Sequence, residues 1–91
     1  MIKIEWSARK NHNNLAKHRI DFIEAATVFD DPMHLTIDDP DHSVDERRFI
    51  SIGYSRRKRL IIMAHTFEDD KIRIISARKP TRSERLIYEE G

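Results

Sequence analysis

The stretch IRIISARKPTRSER, residues 72 to 85, sets Arg73, Arg78, Lys79, Arg82 and Arg85 along the join between an apolar run and a polar one. His65 precedes it inside LIIMAHTF, Tyr88 follows it, and Lys17 and His18 stand together near the N-terminus. Arginine with histidine, unaccompanied by a metal-ligand pattern, suits the cleavage of RNA by its own 2′-hydroxyl. That reaction needs no nucleophilic side chain. It needs a base near the 2′-oxygen, cations on a phosphorane-like transition state and a proton for the departing 5′-oxygen. Lysine and arginine can also hold the strand through its phosphates, and Tyr54 or Tyr88 can stack on a base.

Each candidate has a chemical role and a structural one. His65 sits in a run that reads as a central strand, where a titratable side chain is costly to bury without a partner. It is either a general acid or base on an open sheet face or a strand histidine satisfied by a backbone or carboxylate partner. Arg73, between Ile72 and Ile74, projects from the face opposite the isoleucines. There it meets a phosphate, or an acid such as Glu68 or Asp70. Strict alternation places Arg78 on the isoleucine face instead, so Arg73 and Arg78 can share a site only if the strand bulges or ends before Arg78. At the mouth of a following helix, N–H groups and guanidinium forks favour an anion, unless Arg78 or Arg82 pairs with Glu84. The residues left for such a metal-free site are Lys17, His18, His65, Arg73, Arg78, Arg82, Arg85 and Tyr88.

Several chemistries lack their residues. The chain has no Gly-rich phosphate loop, no nucleophile elbow and no HExxH. Its five histidines, at 12, 18, 34, 42 and 65, include no pair at the helical i, i+4 spacing of a metal site. Asp38, Asp39, Asp41 and Asp45 lack the glycine and closing glutamate of a calcium loop. There is no cysteine, hence no disulfide framework and no thiolate site. No metal and no cofactor is expected.

The elements that must position these residues are legible. IKIEW, residues 2 to 6, alternates and predicts a short first strand. Ser7 can cap a polar helix to about His18. Asp21 and Glu24 have capping-box spacing, and Phe22, Ala25, Ala26 and Phe29 follow at i, i+3, i+4 and i+7 on one face of a second helix. That helix ends before Pro32. HLTID, residues 34 to 38, predicts an edge strand. RRFISIGYS, RLIIMAHTF and KIRIISAR are β-rich runs joined by turns too short for parallel crossovers, so they predict an antiparallel meander. Thr81 and Glu84 form a T-x-x-E capping box for a last helix to about Glu90. The fold class is α+β: about four antiparallel strands plus a short N-terminal one, packed with two N-terminal helices and one C-terminal helix.

Ninety-one residues, 38% hydrophobic and 36% charged, predict one domain over residues 1–91 with a modest core. Trp6, Phe22, Phe29, Phe49 and Phe67 are its expected anchors. The net charge of +1 conceals sorting along the chain. Residues 38 to 46 carry five acids and no Lys or Arg; residues 47 to 59 carry six cations and no acid; residues 71 to 82 carry five more cations. Such sorting can build a basic face for a polyanion on a nearly neutral molecule, or a solvated, ion-paired surface. No signal-peptide pattern or membrane-spanning length occurs in the sequence, so a cytoplasmic protein with no membrane partner is expected.

Four blocks in order resemble a known family: W-x(10)-KH from Trp6 to His18, EAATVFDDP, the DHS…ER loop, and RIISAR…ER..YE. Together they resemble the BrnT-type toxins of bacterial type II toxin–antitoxin pairs along nearly the whole chain. The resemblance implies a compact RelE-like fold and an endoribonuclease activity that inhibits translation. It also implies a cognate BrnA-like antitoxin whose ribbon-helix-helix part binds operator DNA, the toxin reaching that DNA only through it. Carried onto this chain, the family's functional positions are His65, Arg73 and Arg78, then Arg82, Arg85 and Lys17. The alternatives are a non-catalytic binding module, and a degenerate toxin acting only as antitoxin partner and co-repressor.

Overall fold

The computed structural model describes residues 1–42 and 46–91. In chain order the elements are β1 (Lys3–Trp6), α1 (Ala8–His18), α2 (Phe22–Ala26), a 3-10 turn (Thr27–Asp30), β2 (Leu35–Asp38), a second 3-10 turn (Pro40–His42), β3 (Arg48–Tyr54), β4 (Leu60–Glu68), β5 (Lys71–Arg78) and α3 (Arg82–Glu90). The five strands form one mixed sheet in the order β1-β5-β4-β3-β2. β2 to β5 are an antiparallel meander, and β1 closes the other edge by pairing parallel to β5. This is the α+β arrangement expected.

Local chemistry explains the element ends. Ser7 caps α1 by accepting from the Lys10 N–H, and Asp21 caps α2 by accepting from the Glu24 N–H at 2.8 Å. Thr81 and Glu84 complete a reciprocal capping box on α3. Asp69 and Asp70 carry φ of 53° and 60° and turn β4 into β5 in two residues, a conformation that aspartate tolerates better than most. α2 is shorter than its apolar spacing predicts, because the chain tightens to 3-10 geometry at Thr27 and carries Val28 and Phe29 onward in that form.

The main core lies between the sheet and α1, α2 and the first 3-10 turn. Ile20, Phe22, Ala25 and Val28 meet Ile61, Met63, Ile72, Ile74 and Ala77, with Trp6 and Phe29 packed at its margin. It is more aliphatic than expected. Of the aromatic anchors only Phe22 is fully buried, and Phe67 is 45% exposed near the end of β4. Asn14 fastens α1 to the sheet: its Nδ2 donates to the carbonyls of Ile20 and Ala77 at 2.8 Å, and its Oδ1 accepts from the Ala77 N–H at 3.0 Å. Asn11 accepts from the Phe22 N–H at 2.7 Å. The asparagines that make α1 a weak helix by propensity are therefore connections to other elements.

The opposite face of the sheet is covered thinly. Ile52, Leu60 and Ile62 form a smaller cluster with Leu35, Ile50 and Tyr88. α3 buries none of its residues fully, and Leu86 and Ile87 remain exposed. Among the described residues polar links hold it at two places: Tyr88 donates to Asp31 Oδ2 at 2.7 Å, and Arg78 forks onto Glu84.

Candidate active site

The register of β5 against β4 decides which face each arginine occupies. Arg73 pairs with Thr66, Ser76 with Ala64 and Arg78 with Ile62, while Ile74 pairs with His65 and Ala77 with Met63. The pairing slips at Ala64/His65, so Ile75 is an extra residue in β5. This bulge reverses the alternation. Arg73, Ser76 and Arg78 all lie on the α3 side of the sheet, correcting the simple expectation that Arg78 shares the isoleucine face.

His65 is on the other side. The expectation that it faces an open sheet surface is overturned: it is 2% exposed, in the same row as Ile61 and Met63, beneath the first 3-10 turn. Its ring stacks on Phe49 at 5.9 Å and meets Phe29 edge-on at 5.2 Å. The Thr66 carbonyl can only accept, so Nδ1 donates to it, at 3.2 Å. Nε2 then accepts from the Ser51 hydroxyl at 2.7 Å, and Ser51 accepts from Thr36 at 2.7 Å. Burial pushes the His65 pKa below its ordinary value, which keeps the ring neutral. Both nitrogens are occupied, so the satisfied-histidine alternative describes it. The structure does not bring His65 together with Arg73 and Arg78.

The two arginines differ in surroundings. Arg73 pairs with Glu46 rather than with Glu68 or Asp70. It borders a depression lined also by Glu5, Glu68, Asp69 and Lys71, so carboxylates outnumber cations there. Arg78 is half-buried at the far end of β5. Its Nη1 and Nη2 donate to the two Glu84 oxygens at 2.8 and 2.9 Å, and Nη1 also donates to the Lys79 carbonyl at 3.2 Å. The Arg78 guanidinium pulls the Glu84 pKa down to about 2, and the Thr81 N–H it accepts adds to this. Glu84 is thus an ionised clamp that fixes both the guanidinium plane and the start of α3. Five strand steps separate Arg73 from Arg78, roughly 15 Å of backbone. They share a face but not one phosphate.

The remaining candidates scatter. Arg82 and Arg85 are exposed on α3, Arg85 only 3.8 Å from Glu89, a loose pair. Lys17 is exposed on the last turn of α1 and makes no ion pair among the described residues. Tyr88 spends its hydroxyl on Asp31, and that burial and hydrogen bond push its pKa to about 12. Its ring lies edge-on to Tyr54 at 5.4 Å. Tyr54, 39% exposed, is therefore the tyrosine with a ring open to a base. The acidic cluster expected not to bind metal falls partly outside the described residues, at Asp45. Among the described residues no group of three or more His, Cys, Asp or Glu could hold a metal ion.

Arg59 is a residue that the sequence places in the basic run without marking a role for it. It donates from Nε to Glu24 Oε2 at 2.9 Å and also from Nη2 to Glu24 Oε1, while Ser55 donates to Glu24 at 2.7 Å. Those bonds hold the Glu24 pKa below the usual carboxylate range despite its burial.

A basic, bulged β5 leading into a capped α3 over a helix-backed sheet is the context in which the comparisons with known proteins apply. The family model described as the ribonuclease toxin BrnT of type II toxin–antitoxin systems matches residues 6–84, from the end of β1 into the first turn of α3. The chain belongs to the BrnT family. It is by that membership a ribonuclease toxin of a type II toxin–antitoxin system, with an antitoxin as its partner. The crystal structure of the Brucella abortus ribonuclease toxin BrnT superposes with a TM-score of 0.70 at 21% identity, covering 90% of this chain and 100% of that one. That likeness establishes the shared BrnT fold. A search of curated proteins finds no match. No helix among the described residues is long and apolar enough to cross a membrane.

Proposed function

We propose that this BrnT-family chain, working as one domain over residues 1–91 in the cytoplasm, inhibits translation by cleaving RNA without a metal ion. The 2′-hydroxyl attacks the adjacent phosphorus, the P–O5′ bond breaks, and a 2′,3′-cyclic phosphate and a free 5′-hydroxyl result. The observation that carries the reading is the placement of Arg78: a guanidinium on the open face of the sheet, oriented by Glu84 and half-exposed to a strand. Glu84 and the Lys79 carbonyl take both Nη1 hydrogens and one Nη2 hydrogen, which leaves Nε–H and the second Nη2–H for the non-bridging oxygens on which charge builds. Arg73 acts at a distance, on a neighbouring phosphate, against the competition of Glu46. His65 supports the sheet beneath the site through Ser51 and Thr36, and reaches no substrate from its pocket.

The antitoxin is proposed to be a BrnA-like protein whose ribbon-helix-helix part carries the complex to operator DNA. The thinly covered α3 side, with exposed Ile37, Leu86 and Ile87, suits its docking.

Incubation of antitoxin-free protein with single-stranded RNA in EDTA tests the reaction. Fragments ending in 2′,3′-cyclic phosphate, with the rate falling about 100-fold in Arg78→Ala, are expected. Intact RNA at high protein concentration, or activity restored only by a divalent ion, would overturn the mechanism.

A further inference from the structure

Lys58 and Arg59, the end of the basic run, and Lys79 come together in the fold at a place that the residues chosen for chemistry do not occupy. The β3–β4 turn brings Lys58 and Arg59 beside Lys79 and Pro80, the link from β5 to α3, and Arg85 on α3 lies across from them. With Tyr54 these line a groove of about 400 Å³. Among the described residues no carboxylate lines it. Lys58 is held at the turn with φ of 63° and its N–H on the Ser55 carbonyl at 2.9 Å. Neither Lys58 nor Lys79 has an ion-pair partner among the described residues. Arg59 is fixed in place by Glu24 and by the Arg19 carbonyl, which it reaches at 3.1 Å, so that wall is rigid. Tyr54 supplies an aromatic wall braced edge-on by Tyr88.

We infer that this groove is the path of the RNA strand next to the cleavage point, holding successive phosphates on Lys58 and Lys79 with one unpaired base against Tyr54. The inference rests on the ribonuclease reading and deepens it. Cations with no counter-charge beside an exposed aromatic ring are what a single strand requires, since phosphates need positive charge and every base has a stackable face. A duplex could not enter a groove of this size with a base against the tyrosine. Lys79 directly follows Arg78 in the chain, so a phosphate on the groove lysines places its neighbour at the Arg78 guanidinium. Substrate class follows: single-stranded or looped RNA, gripped with little regard to sequence, is engaged through the β3–β4 turn.

The test measures binding and cleavage separately. Binding uses a fluorescent 2′-O-methyl oligonucleotide, whose 2′-oxygen cannot attack, and cleavage uses the unmodified RNA. Lys58→Glu with Lys79→Glu is expected to weaken oligonucleotide binding more than tenfold. The slope of log K against log salt should flatten by about 0.7 for each phosphate that the protein no longer neutralises. Lys58→Gln with Lys79→Gln, which removes charge without reversing it, is expected to fall in between. Lys3→Glu with Lys10→Glu makes the same change in net charge outside the groove and should move affinity less than twofold. Equal affinity of the groove variants and the parent overturns the inference, as does an equal loss in both Glu pairs. Binding that depends on the groove lysines without cleavage of unmodified RNA sinks the ribonuclease mechanism and leaves the groove standing.

Discussion

The two ends of β5 carry the two arginines that looked equivalent, and they are built differently. At its start Arg73 stands among Glu5, Glu46, Glu68 and Asp69, with Glu46 on its guanidinium. At its end Arg78 has one carboxylate, Glu84, which orients it, and beyond it the cations of the groove, Lys58, Lys79 and Arg85. A phosphate approaching Arg73 must displace an acid in a neighbourhood that repels it, whereas one approaching Arg78 enters an attractive field. Proximity in sequence and a shared sheet face therefore do not make equal partners. The charge sorted along the chain gives an excess of cations only at the end where fewer acids are packed beside it.

The sharpest test of that difference is to remove each arginine alone. Arg78→Ala should lower kcat/KM about 100-fold, the scale for a lost transition-state donor, and Arg73→Ala less than about fivefold. Gel assays on one RNA under one salt condition decide it. Equal losses would erase the distinction between the two ends.

A second comparison sets the sheet's faces against each other. His65→Gln should cost about 2 kcal/mol of stability through lost ring packing and a disturbed Ser51 bond. The folded protein that remains should keep its specific activity within a few-fold. Loss of activity in a fully folded variant would put His65 back in the chemistry. The pH profile carries the same point. The folded His65 pKa lies below 6.5 and the unfolded one near 6.5, so the unfolded chain takes up the proton first. Wild-type stability in denaturant titrations should therefore decline as pH falls below 6.5, and His65→Gln should lose that part of the slope.

Smaller effects concern the attachment of α3. Glu84→Gln should cost about 1 kcal/mol as the clamp and cap weaken. In the parent, the Glu84 contribution is present above its ordinary value of 4.5 and is lost as pH falls toward about 2. Acid titration of the two proteins should diverge above that window and converge below it. Tyr88→Phe should be mildest, below about 1 kcal/mol, because Asp31 keeps the Tyr54 and Met33 N–H groups at 2.9 Å. Thermal unfolding would register it, and a larger loss would mean that α3 depends on Tyr88 more than on Arg78–Glu84.

Much of the fold was readable in one dimension. Ser7, Asp21 and the Thr81–Glu84 pair announce helix starts, Pro32 closes the second helical segment, and alternation with short turns requires the meander. These are signals among residues a few positions apart, where backbone preference and hydrogen-bond reach act directly. Four spaced blocks sufficed for the family. For the candidate site residues, type was legible in the sequence and position in the fold much less so. Arg78 and its pairing with Glu84 were within reach of spacing, but the ion-pair partner of Arg73 was not, because Glu46 is distant in sequence.

What the tertiary structure alone decided is which side of the sheet each group faces and what covers it. The bulge at Ile75 carries no glycine to mark it, and arises from how β5 fits against β4. Without it Arg78 would point into the core. His65 is deprived of solvent by Phe29 and Phe49, which arrive from other elements, and Lys58 meets Lys79 only because a turn and a linker close on one corner. Sequence determines the local conformations and the inventory of charges. Register, burial and opposing charge belong to the packing of elements against one another, and these separate a satisfied histidine from a catalytic one and a neutralised arginine from an available one.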